Sequence, residues 1–346
     1  MPGPGSIRAC RGMSVQRRRT ENRWTPLSDV SRLKVTPSAW IGRESKRKVH
    51  VSRREFLSEI LWLNGNAVGL NASSGEPRDI LQGQYASRSV EQLDQIRVLN
   101  WNIERGLRLT RVMDFIGRQQ PDICIFQEVD LNAKRTGKLD VANVVAAEFG
   151  FNYVFGVEFE ELSQGSKTDP AFHGQAVFAR CQILEPRILR FSRQSDIWRP
   201  RLFLPEWPVF QPRTGGRMAL TAELVFGSTR LVVYNLHLES KGDDDLRLSQ
   251  LTEVVQDSLR YSQDIPIILA GDLNTYRSPS PLRRYLLSAG FVDASAGCDC
   301  HGTKPNGQTL DWIFTRGPAV CSGTRVHQET KASDHYPVST ILRRTA

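Results

Sequence analysis

Asp272 and Asn274 stand one residue apart at the end of the apolar run Ile265 to Ala270, which only Pro266 interrupts. Such a run predicts a buried strand. Residues two apart on an extended chain point the same way, so one carboxylate and one amide leave this strand together. In open α/β sheets ligands gather at strand ends. A carboxylate there can bind a hard cation or take a proton from water, and an amide can hold a phosphate oxygen or orient that water. Gly271-Asp272-Leu273-Asn274 also suits a plain Asx turn, so the pair alone leaves both readings open.

The same kind of residue recurs at other expected strand ends: Asn102 and Glu104, Glu128, Asn235 and His237, Asp311, and Asp334 with His335. Singly, each reads as a solvated loop acid or a packed histidine. Together they say more. Carboxylates crowded into one pocket repel unless a cation joins them or their pKa values rise. Acids, amides and two histidines converging in one place point to an oxygen-ligated divalent metal beside a phosphate.

Positioning these residues takes a series of strands and helices. Strands are predicted over Ile96 to Ile103, Asp122 to Glu128, Phe151 to Val157 and Gln175 to Phe178. Met218 to Phe226 and Arg230 to His237 read as a pair turned at Gly227-Ser228. Further strands are Thr309 to Phe314 and one opened by Ser333 to Val338. Helical spacing covers Thr110 to Gln119 and Asp140 to Phe149, the second capped by Gly150. Asp243-Asp244-Asp245 gives an acidic first turn to a helix reaching about Tyr261, and Pro281 to Ala289 forms another. Residues 185–216 show no period and read as a long surface excursion. No internal repeat is present.

The chain has 346 residues and 40% hydrophobic content, enough for one large α/β domain with an extension. Its net charge of +9 is unevenly placed. Residues 1–54 hold 14 Lys+Arg against 3 Asp+Glu, and the rest of the chain holds 32 against 34. The body is near neutral, so a pI of about 9.4 says little about what its site prefers. Of six cysteines, Cys124 lies in an apolar run and reads as a buried thiol. Cys298, Cys300 and Cys321, with His301, match no familiar zinc spacing; a disulfide from Cys321 to one of the others is the alternative. No apolar run reaches the roughly 18 residues of a membrane span.

Residues 1–94 are read as a basic extension and 95–346 as the catalytic domain. The first 54 residues have the composition of a disordered segment; a nucleic-acid arm or an early start codon would give the same residues. Ser52-Arg53-Arg54-Glu55-Phe56-Leu57 resembles a twin-arginine export signal, and an amphipathic helix from Arg53 to Leu63 is the competing reading. Location is left open between cytoplasm and export. Residues 71–94 read as a polar linker.

Seven motifs in order carry a family resemblance. They are Asn100-Trp101-Asn102-Ile103, Gln127-Glu128-Val129-Asp130, His173-Gly174-Gln175-Ala176, Asn235-Leu236-His237, Gly271-Asp272-Leu273-Asn274, Leu310-Asp311-Trp312-Ile313, and Ser333-Asp334-His335-Tyr336-Pro337-Val338. Over residues 95–343 the chain resembles the endonuclease/exonuclease/phosphatase family, the deoxyribonuclease-like metal-dependent phosphoesterases. The resemblance implies a four-layer α/β sandwich, two mostly antiparallel sheets back to back with helices outside.

It also implies roles. Glu128 is the expected principal Mg²⁺ or Mn²⁺ ligand, with Asn102 beside it and Asp334 contributing. Asp272 is the expected base, steadied by Asn274. His335 is expected to bind phosphate, oriented by Asp311. His237 is the leaving-group acid or a second phosphate clamp, and Asn235 and His173 are expected at the substrate. Asn235-Leu236-His237 leans toward the deoxyribonuclease, phosphatase and sphingomyelinase branches. Glu104 stands where Asp or Asn is commoner, and Gln175 replaces the usual Asn. A monomer acting on a phosphorylated substrate is expected. The arginines of 185–217 favour nucleic acid slightly over inositol phosphates or sphingomyelin-like lipids. The rival class, a binding module on the same fold, would show gaps in the constellation, and this chain shows none.

Overall fold

The computed structural model describes residues 79–86, 94–195, 210, 212–278, 280–296 and 302–345. The basic segment 1–54, the twin-arginine motif, Trp198, Trp207, Cys298, Cys300 and His301 lie outside these residues. Cys124, Cys181 and Cys321 carry free thiols. No helix among the described residues is long and apolar enough to cross a membrane.

Fourteen strands form two sheets among the described residues. The first sheet uses β1 (Ile80–Gly83), β2 (Ile96–Arg105), β3 (Ile123–Leu131), β4 (Asn152–Glu161), β5 (Phe172–Ala179), β7 (Arg213–Gly215), β13 (Ala319–Val326) and β14 (Val338–Arg344). Its order is β1-β4-β5-β3-β2-β14-β13, with β7 beside β4. The second uses β6 (Gln182–Arg190), β8 (Met218–Phe226), β9 (Thr229–His237), β10 (Ile267–Asp272), β11 (Val292–Asp293) and β12 (Asp311–Arg316), in the order β11-β12-β10-β9-β8-β6. Only β2 with β3 and β9 with β10 pair in parallel.

Helices α1 (Leu109–Gln119) and α2 (Val141–Phe149) cover the first sheet; α3 (Asp244–Ser258) and α4 (Pro281–Ser288) cover the second. Their ends follow local chemistry. Asp140, Asp243 and Ser280 each accept a main-chain N–H as N-caps, and Gly150 closes α2 in the left-handed conformation. The result is the four-layer sandwich, with three cores between four layers. Each fully buried Leu, Ile, Val or Phe contributes about 1.5–3 kcal/mol through the area it removes from water.

Strand alternation explains the middle core and, through it, the site. Val98, Ile123, Ile125, Leu231, Val233, Ile268, Ala270 and Ile313 face the other sheet. Leu99, Trp101, Cys124 and Phe126 face the helices on one side, and Val232, Tyr234, Ile267 and Leu269 face those on the other. Following the inward set at period two, apolar residues give way to polar ones at one end of every central strand. Val98 leads to Asn100 and Asn102, Ile125 to Gln127, Val233 to Asn235 and His237, Ala270 to Asp272, and Ile313 back to Asp311.

Two sequence readings are corrected. Ile80–Gly83 is not linker but strand β1, paired antiparallel with β4; at four residues it is too short to show a period. The excursion read into 185–216 is partly sheet. β6 runs to Arg190 and pairs with β8, and its pattern is obscured by Pro186 and by a register shift between Leu184 and Arg187.

Candidate active site

The inward polar residues form two tiers. The deeper tier is amide. Gln127 Nε2 donates to Asn235 Oδ1 at 2.7 Å and Asn100 Oδ1 at 3.0 Å. Asn235 Nδ2 donates to the carbonyls of Phe126 and Ala176, both in the opposite sheet. Asn235 is wholly buried, and through these bonds, which use both its amide hydrogens and its oxygen, it braces the two sheets. The outer tier adds the ionisable groups Glu128, His237, Asp272, Asp311 and His335 to the amide of Asn102.

On the second sheet the outer tier is a row set by register. Asp272 lies opposite His237 on β9 and opposite Asp311 on β12. Gly271 makes that row possible. Its φ is 149° and a Cβ there would lie 1.9 Å from the Leu236 carbonyl oxygen, so no side chain fits. Beyond the strand end, Asn274 N donates to Asp272 Oδ1 at 2.9 Å, the Asx turn that the sequence allowed. Asn274 is held in turn, its Nδ2 on the Leu238 carbonyl and its Oδ1 accepting from Tyr276 Oη.

The first sheet positions its residues by bulges. Register shifts fall between Asn102 and Arg105 and between Phe126 and Val129. Glu104, Arg105 and Glu128 all have positive φ, and Glu128 stands at 51°. Non-glycine residues there cost on the order of 1–3 kcal/mol each. The bulges re-aim the side chains. Asn102 Nδ2 lies 3.2 Å from both Glu128 Oε1 and Asp272 Oδ2, so one amide ties the two sheets' carboxylates together. Glu104 turns away to Arg108 at 2.9 Å.

His335 arrives on the segment before β14. The Ser333 hydroxyl donates to the Asn102 carbonyl, and Trp101 Nε1 donates to the His335 carbonyl at 2.9 Å. The ring then sits with Nδ1 2.8 Å from Asp311 Oδ2 and Nε2 3.6 Å from Asp272 Oδ2. Lys304 completes this side, with Nζ 2.9 Å from Asp334 Oδ2 and 3.0 Å from His335 Nε2. Asp334 is half exposed and turned to that ammonium. His173 stands behind the rim, buried, with Nδ1 3.1 Å from Asp130 Oδ1, while Arg135 holds Asp130 by two bonds.

The charges follow from these contacts. Burial raises the Asp272 carboxyl, and Asp311 adds to this against the pull of His335. Burial would lower His335, but the Asp311 and Asp272 carboxylates outweigh it and raise the ring, with Lys304 opposing. Burial would raise Glu128, yet the field of His173, His237 and Arg105 and the Asn102 amide hold it below the usual carboxylate range. Burial and the Arg217 charge push His237 well below the ordinary histidine value.

The donor set fits a hard divalent cation. Glu128 is ionised and only partly covered, and the oxygens around it are of the kind magnesium and manganese take. Asp272, Asp311 and His335 also place one ligand atom each within 4.8 Å of one another and could hold a metal.

Sequence reading missed Lys304, Arg217, Asn100 and Gln127 as parts of this centre. For the amides the signal was present, since both occupy inward positions of apolar strands. Lys304 lies in a turn-rich loop without period. Arg217 was grouped with the surface arginines, but it is buried between His237 and Glu158.

Two sheets with helices outside and an acid, amide and histidine cluster at one end define a four-layer α/β sandwich with one polar centre. The chain belongs to the Endonuclease/Exonuclease/phosphatase family, whose model matches residues 99–335. Solved structures agree on the fold. An endonuclease/exonuclease/phosphatase from Beutenbergia cavernae DSM 12333 aligns at 17% identity and TM-score 0.53, covering 73% of this chain and 72% of its own. The human Nocturnin catalytic domain, with bound sulfate anion, aligns at 17% identity and TM-score 0.53 over 74% and 97%. Humanized D. rerio TDP2 aligns at 18% identity and TM-score 0.51 over 72% and 100%. No curated protein sequence matches the chain.

Proposed function

We propose that this protein is a Mg²⁺- or Mn²⁺-dependent hydrolase of phosphoester bonds that works by in-line attack of water, without a covalent enzyme intermediate. One observation carries the reading: Asp272 Oδ2 is shared among Asn102 Nδ2 at 3.2 Å, His335 Nε2 at 3.6 Å and His237 Nε2 at 3.8 Å. A carboxylate so placed, bonded by one amide and faced by two imidazoles, suits taking a proton from water beside an anionic phosphoryl group. Bound at Glu128 and Asn102, the cation would offset charge developing on phosphoryl oxygens. His335, oriented by Asp311 and met at Nε2 by the Lys304 ammonium, forms with it a basic clamp for a phosphoryl oxygen. Lys304 adds a second positive charge on that side. Asn274 fixes Asp272 through its main-chain N–H. The test is hydrolysis of phosphodiesters with Mg²⁺ or Mn²⁺ by the wild type and Asp272→Asn. Full turnover in the variant would remove Asp272 as the base.

The substrate is argued from the arginines. A nuclease needs cations free to track a polynucleotide backbone. Arg187 pairs with Asp257, Arg190 with Asp79, Arg213 with Glu161 and Arg217 with Glu158. Among the described residues, these four members of the expected nucleic-acid rim brace the fold instead. That favours a compact phosphorylated group over a long polynucleotide. A panel of plasmid DNA, RNA, phosphoinositides and sphingomyelin decides it. Efficient nicking of plasmid with no turnover of the small or lipid substrates would restore the nuclease reading.

A further inference from the structure

Arg217 stands one residue before β8 and is 4% exposed; His237 ends β9 at 2%, and Glu158 lies on β4 at 1%. One guanidinium nitrogen of Arg217 serves both neighbours. Arg217 Nη1 is 3.0 Å from Glu158 Oε1 and 2.9 Å from His237 Nδ1. That nitrogen carries two hydrogens, one for each. A guanidinium donates and cannot accept. At 2.9 Å the imidazole Nδ1 is therefore the acceptor, and a neutral ring then carries its only hydrogen on Nε2. A proton on Nδ1 would set two donors against each other beside a fixed charge. Glu158 Oε2, at 3.9 Å from Nδ1, is too far to take that proton's bond. The other end of the ring, Nε2, faces Asp272 Oδ2 in the site.

We propose that Arg217 is a positioning residue that locks His237 in its neutral Nε2–H tautomer, so that His237 serves as a fixed hydrogen-bond donor to a phosphoryl oxygen and not as the acid for the leaving group. This rests on the phosphoesterase reading for its chemistry, while the tautomer stands on the hydrogen bonds alone. It also chooses between the two roles the sequence left to His237. The leaving oxygen takes its proton from another donor, water or the Lys304 ammonium, and His237 begins and ends the cycle with one hydrogen. Burial and the Arg217 charge, which keep the ring neutral, agree with this.

Two measurements on the full chain test it. The first is nitrogen NMR of histidine-labelled protein at neutral pH, assigned by loss of the signals in His237→Gln. A pyridine-like Nδ1 and a pyrrole-like Nε2 are expected, and Arg217→Met should release that fixed pattern. If Arg217→Met fails to fold because Glu158 loses its partner, Arg217→Met with Glu158→Gln replaces it. A pyrrole-like Nδ1 or a doubly protonated ring in the wild type overturns the proposal. The second compares a phosphodiester with an aryl leaving group, which needs no acid, and one with an alkyl leaving group, which does. His237→Ala should slow both by the same factor, about tenfold to a thousandfold for one lost donor. A loss confined to the alkyl ester makes His237 the acid and overturns the proposal. If the wild type hydrolyses neither ester, the phosphoesterase reading falls, and the NMR result still decides the tautomer.

Discussion

The two sheets reach the same site by opposite means. In the second sheet the β9–β10–β12 ladder stays regular to its last residue, and His237, Asp272 and Asp311 come side by side because hydrogen-bond register puts them there. Beside the site the first sheet breaks its ladder between β2 and β3 and between β3 and β5, and holds Glu104, Arg105 and Glu128 at positive φ, which re-aims Glu128 toward the site. The residues differ in kind as well. The regular rim carries the groups proposed to handle protons, whose spacing tolerates little error. The bulged rim carries the charge-holding carboxylate, which a cation can meet from several angles. Asn274, just past the regular ladder, also has a positive φ, so the contrast between the rims lies in the ladders and not in strain alone.

The comparison predicts that the rims fail differently. Asp272→Asn, on the regular rim, should lower kcat by about a thousandfold or more with metal affinity kept, since only the base is lost. Kinetics with calorimetric Mg²⁺ or Mn²⁺ titration read both quantities, and an equal loss of both would erase the division of labour. Asn235→Ala, in the amide tier beneath both rims, should cost about 2–4 kcal/mol of stability by stranding Gln127 and two carbonyls. Denaturant unfolding measures this, and a normal midpoint with a raised KM would return Asn235 to the substrate.

Glu128→Gln, on the bulged rim, should weaken metal binding by about 10–100-fold, with kcat largely recovered at high metal. A turnover that saturating metal leaves unchanged would make Glu128 more than a ligand. Lys304→Met should lower kcat/KM by about tenfold, modest because its side chain is partly exposed. An unaltered kcat/KM would reduce Lys304 to a partner of Asp334. The smallest effect is in the pH profile. Burial raises Asp272 and the base must be deprotonated, so activity should climb with pH along an acid limb centred above the ordinary aspartate value of about 4. A limb centred at or below that value would mean Asp272 is not the group titrating.

Much of this was open to reading along the chain. The apolar run before Asp272, the Gly150 cap, the acidic first turn at Asp243 and polar residues at strand ends are local signals, because period-two and 3.6-residue patterns record which side meets a core. Ordered motifs pointed to the family and to the residues that the two sheets bring together at one end. Other facts needed the fold. Whether an inward amide faces substrate or the opposite sheet depends on residues more than a hundred positions away, and so Asn235 proved to be a brace. Whether an arginine lies on a rim or beneath one cannot be seen in its neighbours, and so Arg217 was read as surface. Lys304 meets His335 across 31 residues of chain with no pattern to announce it. Sequence fixes which side of its own strand each residue occupies. What stands opposite is settled only when the two sheets close on each other, because register and packing join parts of the chain that carry no local record of one another.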